Sequence, residues 1–144
     1  MSTIEMPKPD QSVLDRKAQI VEALCKVLPS DSVISDEHET RAYECDGLTA
    51  YRCPPLVAVL PRTSQECAAA MRVCHDLNVT VVPRGAGTSL AGGALPTADC
   101  VILGTARLKD VLEVDYDNRI IRVQTGVTNL SVTGLVEDDG FFYA

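Results

Sequence analysis

Apolar side chains at Val13, Leu14, Ala18, Val21, Leu24, Cys25 and Leu28 recur at close to helical spacing. The pattern predicts a helix over residues 12–28, with Asp10 or Ser12 placed to cap its start and Pro29 to end it. The polar stretch Asp36–Arg41 predicts a short helix or turn that runs into Tyr43. Leu56–Leu60 is a continuous apolar run bounded by prolines, the pattern of a strand buried on both faces. Thr63-Ser64-Gln65-Glu66 then fits a capping box, with Thr63 at the N-cap and Glu66 three residues on. Cys67, Ala70, Met71, Cys74 and Leu77 form the apolar face of the helix that follows. Val79–Val82 reads as a second strand and Val101–Leu103 as a third. Strand, helix, strand in this order predicts a right-handed parallel βαβ unit.

Beyond Arg107 the pattern shortens. Leu108, Val111, Leu112 and Val114, then Ile120, Ile121 and Val123, predict short strands joined at Asp115-Tyr116-Asp117-Asn118. Thr128 or Asn129 is placed to cap a helix through Val136, with Gly140 near its end. The sequence closes on Gly140-Phe141-Phe142-Tyr143-Ala144, an aromatic run where a native terminus is usually polar, so an incomplete fold is expected there.

The second strand runs into Pro83-Arg84-Gly85-Ala86-Gly87-Thr88-Ser89-Leu90-Ala91-Gly92-Gly93. Backbone without a Cβ can approach a ligand closely and turn its N–H groups toward phosphate oxygens. Arg84 adds a charged donor, and Thr88 and Ser89 add neutral ones. A dinucleotide fingerprint starting at Gly85 would need glycine where the chain has Leu90. A P-loop starting at Gly87 reaches Gly92, then needs Lys and Ser/Thr where Gly93 and Ala94 stand. The loop thus leaves the carboxyl end of a strand, where open α/β sheets bind ligands, but it is neither of those two cradles.

Charge supports an anionic ligand. The net charge is −7, yet residues 56–108 carry four basic and three acidic groups. The flanking segments 1–55 and 109–144 carry six against ten and three against seven. The only third that is not acidic holds the glycine loop. No basic stripe or stacking platform points to nucleic acid, and no apolar run is long enough for a transmembrane segment. The N-terminus has no secretory pattern, so a cytoplasmic address is expected. The six cysteines contain no C-x-x-C pair and the two histidines stand far apart, so no metal site is expected. The cysteines read instead as small apolar core residues.

The loop Pro83–Gly93 resembles the pyrophosphate loop of the FAD-binding domain shared by the vanillyl-alcohol oxidase / p-cresol methylhydroxylase flavoproteins. Tyr43-Glu44-Cys45-Asp46-Gly47-Leu48 and the stretch Pro55–Pro61 are similar to the FAD-linked subunits of bacterial glycolate oxidases. The resemblance implies an α+β (α/β) fold of the PCMH type, with FAD held non-covalently. Its expected divisions are a helical leader over 1–54, a first subdomain (βαβ with the loop) over 55–106, and the start of an antiparallel second subdomain over 107–144. The cofactor-binding residues it implies are Pro83, Arg84, Gly85, Ala86, Gly87, Thr88, Ser89, Gly92 and Gly93, with the diphosphate on the Arg84–Ser89 backbone. Replacing Gly87 by Val is then expected to abolish flavin retention and spare the fold.

The activity implied is oxidation of a small 2-hydroxy acid, glycolate to glyoxylate, with D-lactate or another D-2-hydroxy acid as the alternative. A non-catalytic packing module is the reading from a different class. Partners implied are a second flavin subunit and an iron–sulfur subunit, through which the protein could lie peripherally at the inner membrane. The resemblance places the family's catalytic residues outside these residues, and the chain alone is expected to be inactive and to hold FAD weakly or not at all. Gln124-Thr125-Gly126-Val127 stands where that subfamily carries Gln-Pro-Gly-Val, and Gly126 reads as a plain turn glycine. Tyr43, Asp46 and Tyr51 read equally as packing between leader and FAD domain or as chemistry, and His38 and His75 as neither ligand nor catalyst.

Overall fold

The computed structural model describes residues 6–143. The first apolar pattern resolves into two helices, α1 (Gln11–Leu14) and α2 (Lys17–Val27). Asp10 caps α1 by accepting from the Ser12 amide, and Leu28 ends α2 ahead of Pro29. Ile20, Leu24 and Leu28, four residues apart on one face, line the core with Val13, while Cys25 beside them is exposed. A 3-10 turn leads into the two-residue strand β1 (Val33–Ile34). Helix α3 (Glu37–Thr40), capped by Asp36, continues as a 3-10 turn to Tyr43.

The predicted strand, helix and strand appear as β2 (Val57–Val59), α4 (Ser64–Asp76) and β3 (Val81–Arg84), followed by β4 (Val101–Gly104). The capping box is half closed as expected: Thr63 Oγ1 accepts from the Glu66 amide at 3.1 Å. Glu66 reaches one residue further back, accepting from the Arg62 amide at 2.7 Å. On α4, Ala70 and Cys74 are buried, but Met71 is 45% exposed and Val73 packs on the core in its place.

Strands β2 and β3 are parallel, as the βαβ pattern predicts, but they do not touch. The sheet order is β1-β2-β4-β3, so β4 inserts between them and pairs parallel with both. Strand β1 adds antiparallel to β2. The expected leader over 1–54 therefore shares this sheet, and its helix α2 packs on α4.

Alternation along the strands divides the core. Val57, Val59 and Val101 face α2 and α4, while Ala58 and Ile102 face the opposite side with Tyr43 and Val82. That second side leads to the glycine loop.

Beyond Arg107, β5 (Val111–Asp115) and β6 (Ile120–Val123) form an antiparallel hairpin whose corner is held by Asp115 accepting from Asn118. Helix α5 (Asn129–Val136) starts at Thr128, whose hydroxyl accepts from the Ser131 amide. Leu112, Ile120, Leu130 and Phe142 on this unit are exposed.

Candidate cofactor-binding site

Strand β3 is the outer strand of the sheet, which lets Pro83 sit in it without removing a ladder donor from an interior position. Its last residue, Arg84, pairs with Gly104 on β4, and its carbonyl accepts from the Thr105 amide at 2.9 Å. The chain then leaves the sheet as the open segment Gly85–Gly93, where Gly85, Ala86, Thr88, Ser89 and Gly93 are exposed.

Arg84 does not reach into solvent. Its Nη1 donates to the Cys45 carbonyl at 2.7 Å and, more loosely, to the Ala94 carbonyl at 3.4 Å. The guanidinium lies 5.8 Å from the centroid of the Tyr43 ring. Of the phosphate-binding and loop-bracing roles, the geometry selects bracing: a planar charged group joins both ends of the loop to the segment before β2.

The glycines divide by cause. Gly87 has φ +71° and Gly92 φ +77°, conformations that favour glycine on backbone grounds. A Cβ on Gly87 would meet the Arg84 guanidinium, so the missing side chain makes room for the arginine. Gly87→Val would therefore carry a stability cost. Gly85 and Gly93 are different. Neither has a left-handed φ, and a Cβ at either would meet no atom of the chain within 4 Å. Neither packing nor φ explains glycine there, and both face open space from which a ligand can approach.

The loop's donors follow the same division. Ala91 N donates to Ser89 Oγ at 3.2 Å, and Gly92 N to Asp46 Oδ2 at 3.0 Å. The amides of Gly85, Ala86, Gly87, Thr88 and Ser89 donate to no acceptor among the described residues. A run of unpaired N–H groups in glycine-rich backbone is a concavity for an anion, and it suits a diphosphate. The implied cofactor fits what is present.

Beside the loop lies a depression of about 420 Å³ lined by Leu48, Tyr51, Leu90 and Leu95 among others. A second cavity of about 560 Å³ lies under the hairpin, between Ile120, Val132, Val136 and Phe141. It has no comparable run of donors, which leaves the loop as the candidate site.

Two features escaped the sequence reading. Asp46 is buried and its carboxylate holds the far half of the loop. Gly47 lies so close to it that a Cβ would stand 2.6 Å from the Thr88 carbonyl oxygen, while its amide donates to Ser89 O at 3.0 Å. The motif around them was visible, but contacts across such separations have no signal in one sequence. Gly126 has the structural role expected of it: its amide donates to Leu108 O at 2.8 Å and a Cβ would meet Thr105 and Leu108 backbone.

The cysteines depart from expectation. Cys74 and Cys100 are buried, and burial pushes both thiols up to about 11. Cys45, Cys53 and Cys67 are half-buried and Cys25 is exposed, so the six do not form one core set. Among the described residues no His, Cys, Asp or Glu group could hold a metal, and no helix is long and apolar enough to cross a membrane.

Comparison with known proteins identifies the family. A family model described as "FAD binding domain" matches residues 55–144, a span that contains the loop. Glycolate oxidase subunit GlcD of Escherichia coli (strain K12) is 42% identical over 128 residues, 89% of this chain and 26% of that protein. D-2-hydroxyglutarate dehydrogenase of Bos taurus is 35% identical over 83% of this chain and 22% of its own length. D-lactate dehydrogenase of Archaeoglobus fulgidus is 40% identical over 91 residues, 55% of this chain and 20% of that protein. The chain thus spans about a quarter of the length of the relatives it matches. In fold it resembles p-cresol methylhydroxylase, with a TM-score of 0.77 at 17% identity over 92% of this chain and 26% of that one. On the match over more than half its length, the chain belongs to the FAD binding domain family, and its cofactor is FAD.

Proposed function

We propose that this chain is the FAD-binding portion of a flavin-dependent 2-hydroxy acid oxidoreductase, with glycolate as substrate and glyoxylate as product. The single observation that carries the cofactor placement is the run of unpaired amides from Gly85 to Ser89, flanked by glycines whose missing Cβ leaves open space. In this reading those amides receive the diphosphate. Pro83 and Arg84 fix the start of the loop, and Gly92 and Gly93 its return. Ala86, Thr88 and Ser89 contribute backbone N–H and two hydroxyls.

Bound flavin supplies the acceptor for a hydride from the carbon bearing the substrate hydroxyl, while the protein positions it and tunes its electronics. The chain's own residues bind and orient the cofactor. The similarity to a glycolate oxidase subunit favours glycolate, and that to the two D-2-hydroxy acid dehydrogenases supports the alternative substrates. The division into a leader (1–54), a loop-bearing subdomain (55–106) and a second subdomain (107–144) belongs to this proposal. So do assembly with a second flavin subunit and an iron–sulfur subunit, and a cytoplasmic location peripheral to the inner membrane.

The test is an artificial-acceptor assay on the flavoprotein purified from its native source. Glycolate-dependent dye reduction with no NAD added is the expected result. Turnover with D-lactate or D-2-hydroxyglutarate but not glycolate would select the alternative. Strict dependence on NAD(P) would contradict the flavin reading.

A further inference from the structure

Several residues that hold the glycine loop in shape lie outside the matched domain. The family match begins at residue 55, whereas Tyr43, Cys45, Asp46, Gly47 and Leu48 precede it. Tyr43 lies under Arg84, the Cys45 carbonyl accepts from Arg84, and the Gly47 amide donates to the Ser89 carbonyl. Asp46 joins the two pieces of chain. Its Oδ1 accepts from the Leu48 amide at 2.9 Å and its Oδ2 from the Gly92 amide at 3.0 Å.

We infer that Asp46 is a positioning residue for the cofactor, and that the segment Tyr43–Leu48 is a working part of the FAD site. The inference rests on the FAD reading of the loop. Asp46 is only 5% exposed, and a buried carboxylate persists where fixed donors meet its oxygens. Here both donors are backbone amides, one local and one from the loop's return.

By taking the Gly92 amide, Asp46 fixes the return of the loop, as Arg84 fixes its start. The amides between, Gly85 to Ser89, are left unpaired among the described residues. Without the carboxylate, Gly92 would lose its acceptor, and the bond from the Gly47 amide to Ser89 O would be left to tie the loop to residues 46–48. The loop would then have to be ordered by the ligand, at the ligand's expense in affinity.

Asp46→Asn separates this role from general packing. It keeps the shape of the side chain but has only one acceptor oxygen. With two amide donors facing it, one would meet the carboxamide NH₂ instead. Asp46→Ala removes both acceptors.

The experiment measures FAD binding to 15N-labelled full chain by amide shifts, alongside thermal unfolding of each variant without FAD. Wild type is expected to show saturable shifts at Gly85–Ser89. Asp46→Asn should bind FAD at least tenfold more weakly while remaining folded, with the Gly92 amide exchanging faster. Asp46→Ala should be weaker again. Where Asp46→Ala fails to fold, Asp46→Asn alone decides. A lowered melting temperature with FAD affinity within twofold of wild type would make Asp46 merely structural and overturn the inference. No FAD-induced shift in wild type would instead overturn the flavin reading itself, and this inference with it.

Discussion

Replacing Gly87 by alanine would place a methyl group against the Arg84 guanidinium, 2.8 Å from Nε and nearer still to its other atoms, at a residue with φ +71°. The left-handed backbone costs a non-glycine residue roughly 1–2 kcal/mol. Displacing the guanidinium weakens a charged hydrogen bond to the Cys45 carbonyl, worth about 1.5–3 kcal/mol, and a cation–π contact with Tyr43 worth about 0.5–1 kcal/mol. Together these come to roughly 3–6 kcal/mol, a large share of the ~5–15 kcal/mol that holds a typical domain folded. At roughly 2–4 °C per kcal/mol, the melting temperature should fall by about 6–24 °C.

Gly85→Ala is the paired control. Its Cβ meets nothing in the chain and its φ is not left-handed, so stability should stay unchanged or rise by up to about 1 kcal/mol. The same Cβ enters the space assigned to the diphosphate, and FAD affinity should fall at least about tenfold, equivalent to about 1.4 kcal/mol. Circular-dichroism melts and FAD titrations of both variants check this. Equal melting temperatures for the two variants, or unchanged FAD affinity in Gly85→Ala, would refute the division of roles within the loop.

Three further outcomes follow from local chemistry. In a thiol-labelling time course at pH 8, Cys25 should react first and Cys74 and Cys100 only on unfolding, because both thiols are buried and raised to about 11; early modification of Cys100 would contradict the packing of Ile102 and Ala58 around it. Asp36 is held below the ordinary carboxylate value of 3.8 by the Glu39 and His38 amides that it caps. Its contribution is therefore present above pH 3.8 and lost as the pH falls through the lower folded-state value, so Asp36→Asn should flatten the acid limb of the stability curve. An unchanged limb would count against the cap. Thr63→Ala should cost about 1 kcal/mol through loss of the α4 N-cap, read from a denaturant melt, and no loss would place the helix start elsewhere.

Local signals were legible in the sequence. Thr63 and Glu66 marked the start of α4, Asp115–Asn118 marked the hairpin corner, and the glycines after Val82 marked the loop. What failed was non-local or depended on phase. Nothing in the order of segments says that β4 inserts between β2 and β3. On α2 the buried face runs through Ile20 and Leu24, which leaves Cys25, one position round the helix, exposed. The site was half legible for the same reason. Arg84 and the glycines announced a loop, but its brace comes from Asp46, 46 residues from the Gly92 amide that it holds. A contact at that distance leaves no periodicity to read.

Amide-resolved NMR of the 15N-labelled chain during titration with FAD tests whether the backbone of Gly85–Ser89 receives the diphosphate. Because the method reads fast exchange, weak binding is no obstacle. The expected result is saturable shifts at Gly85, Ala86, Gly87, Thr88 and Ser89, reproduced in part by ADP, with the β5–β6 hairpin unmoved. Shifts confined to the cavity under Ile120 and Phe141, or no saturable shift at the loop with FAD in excess, would contradict that placement.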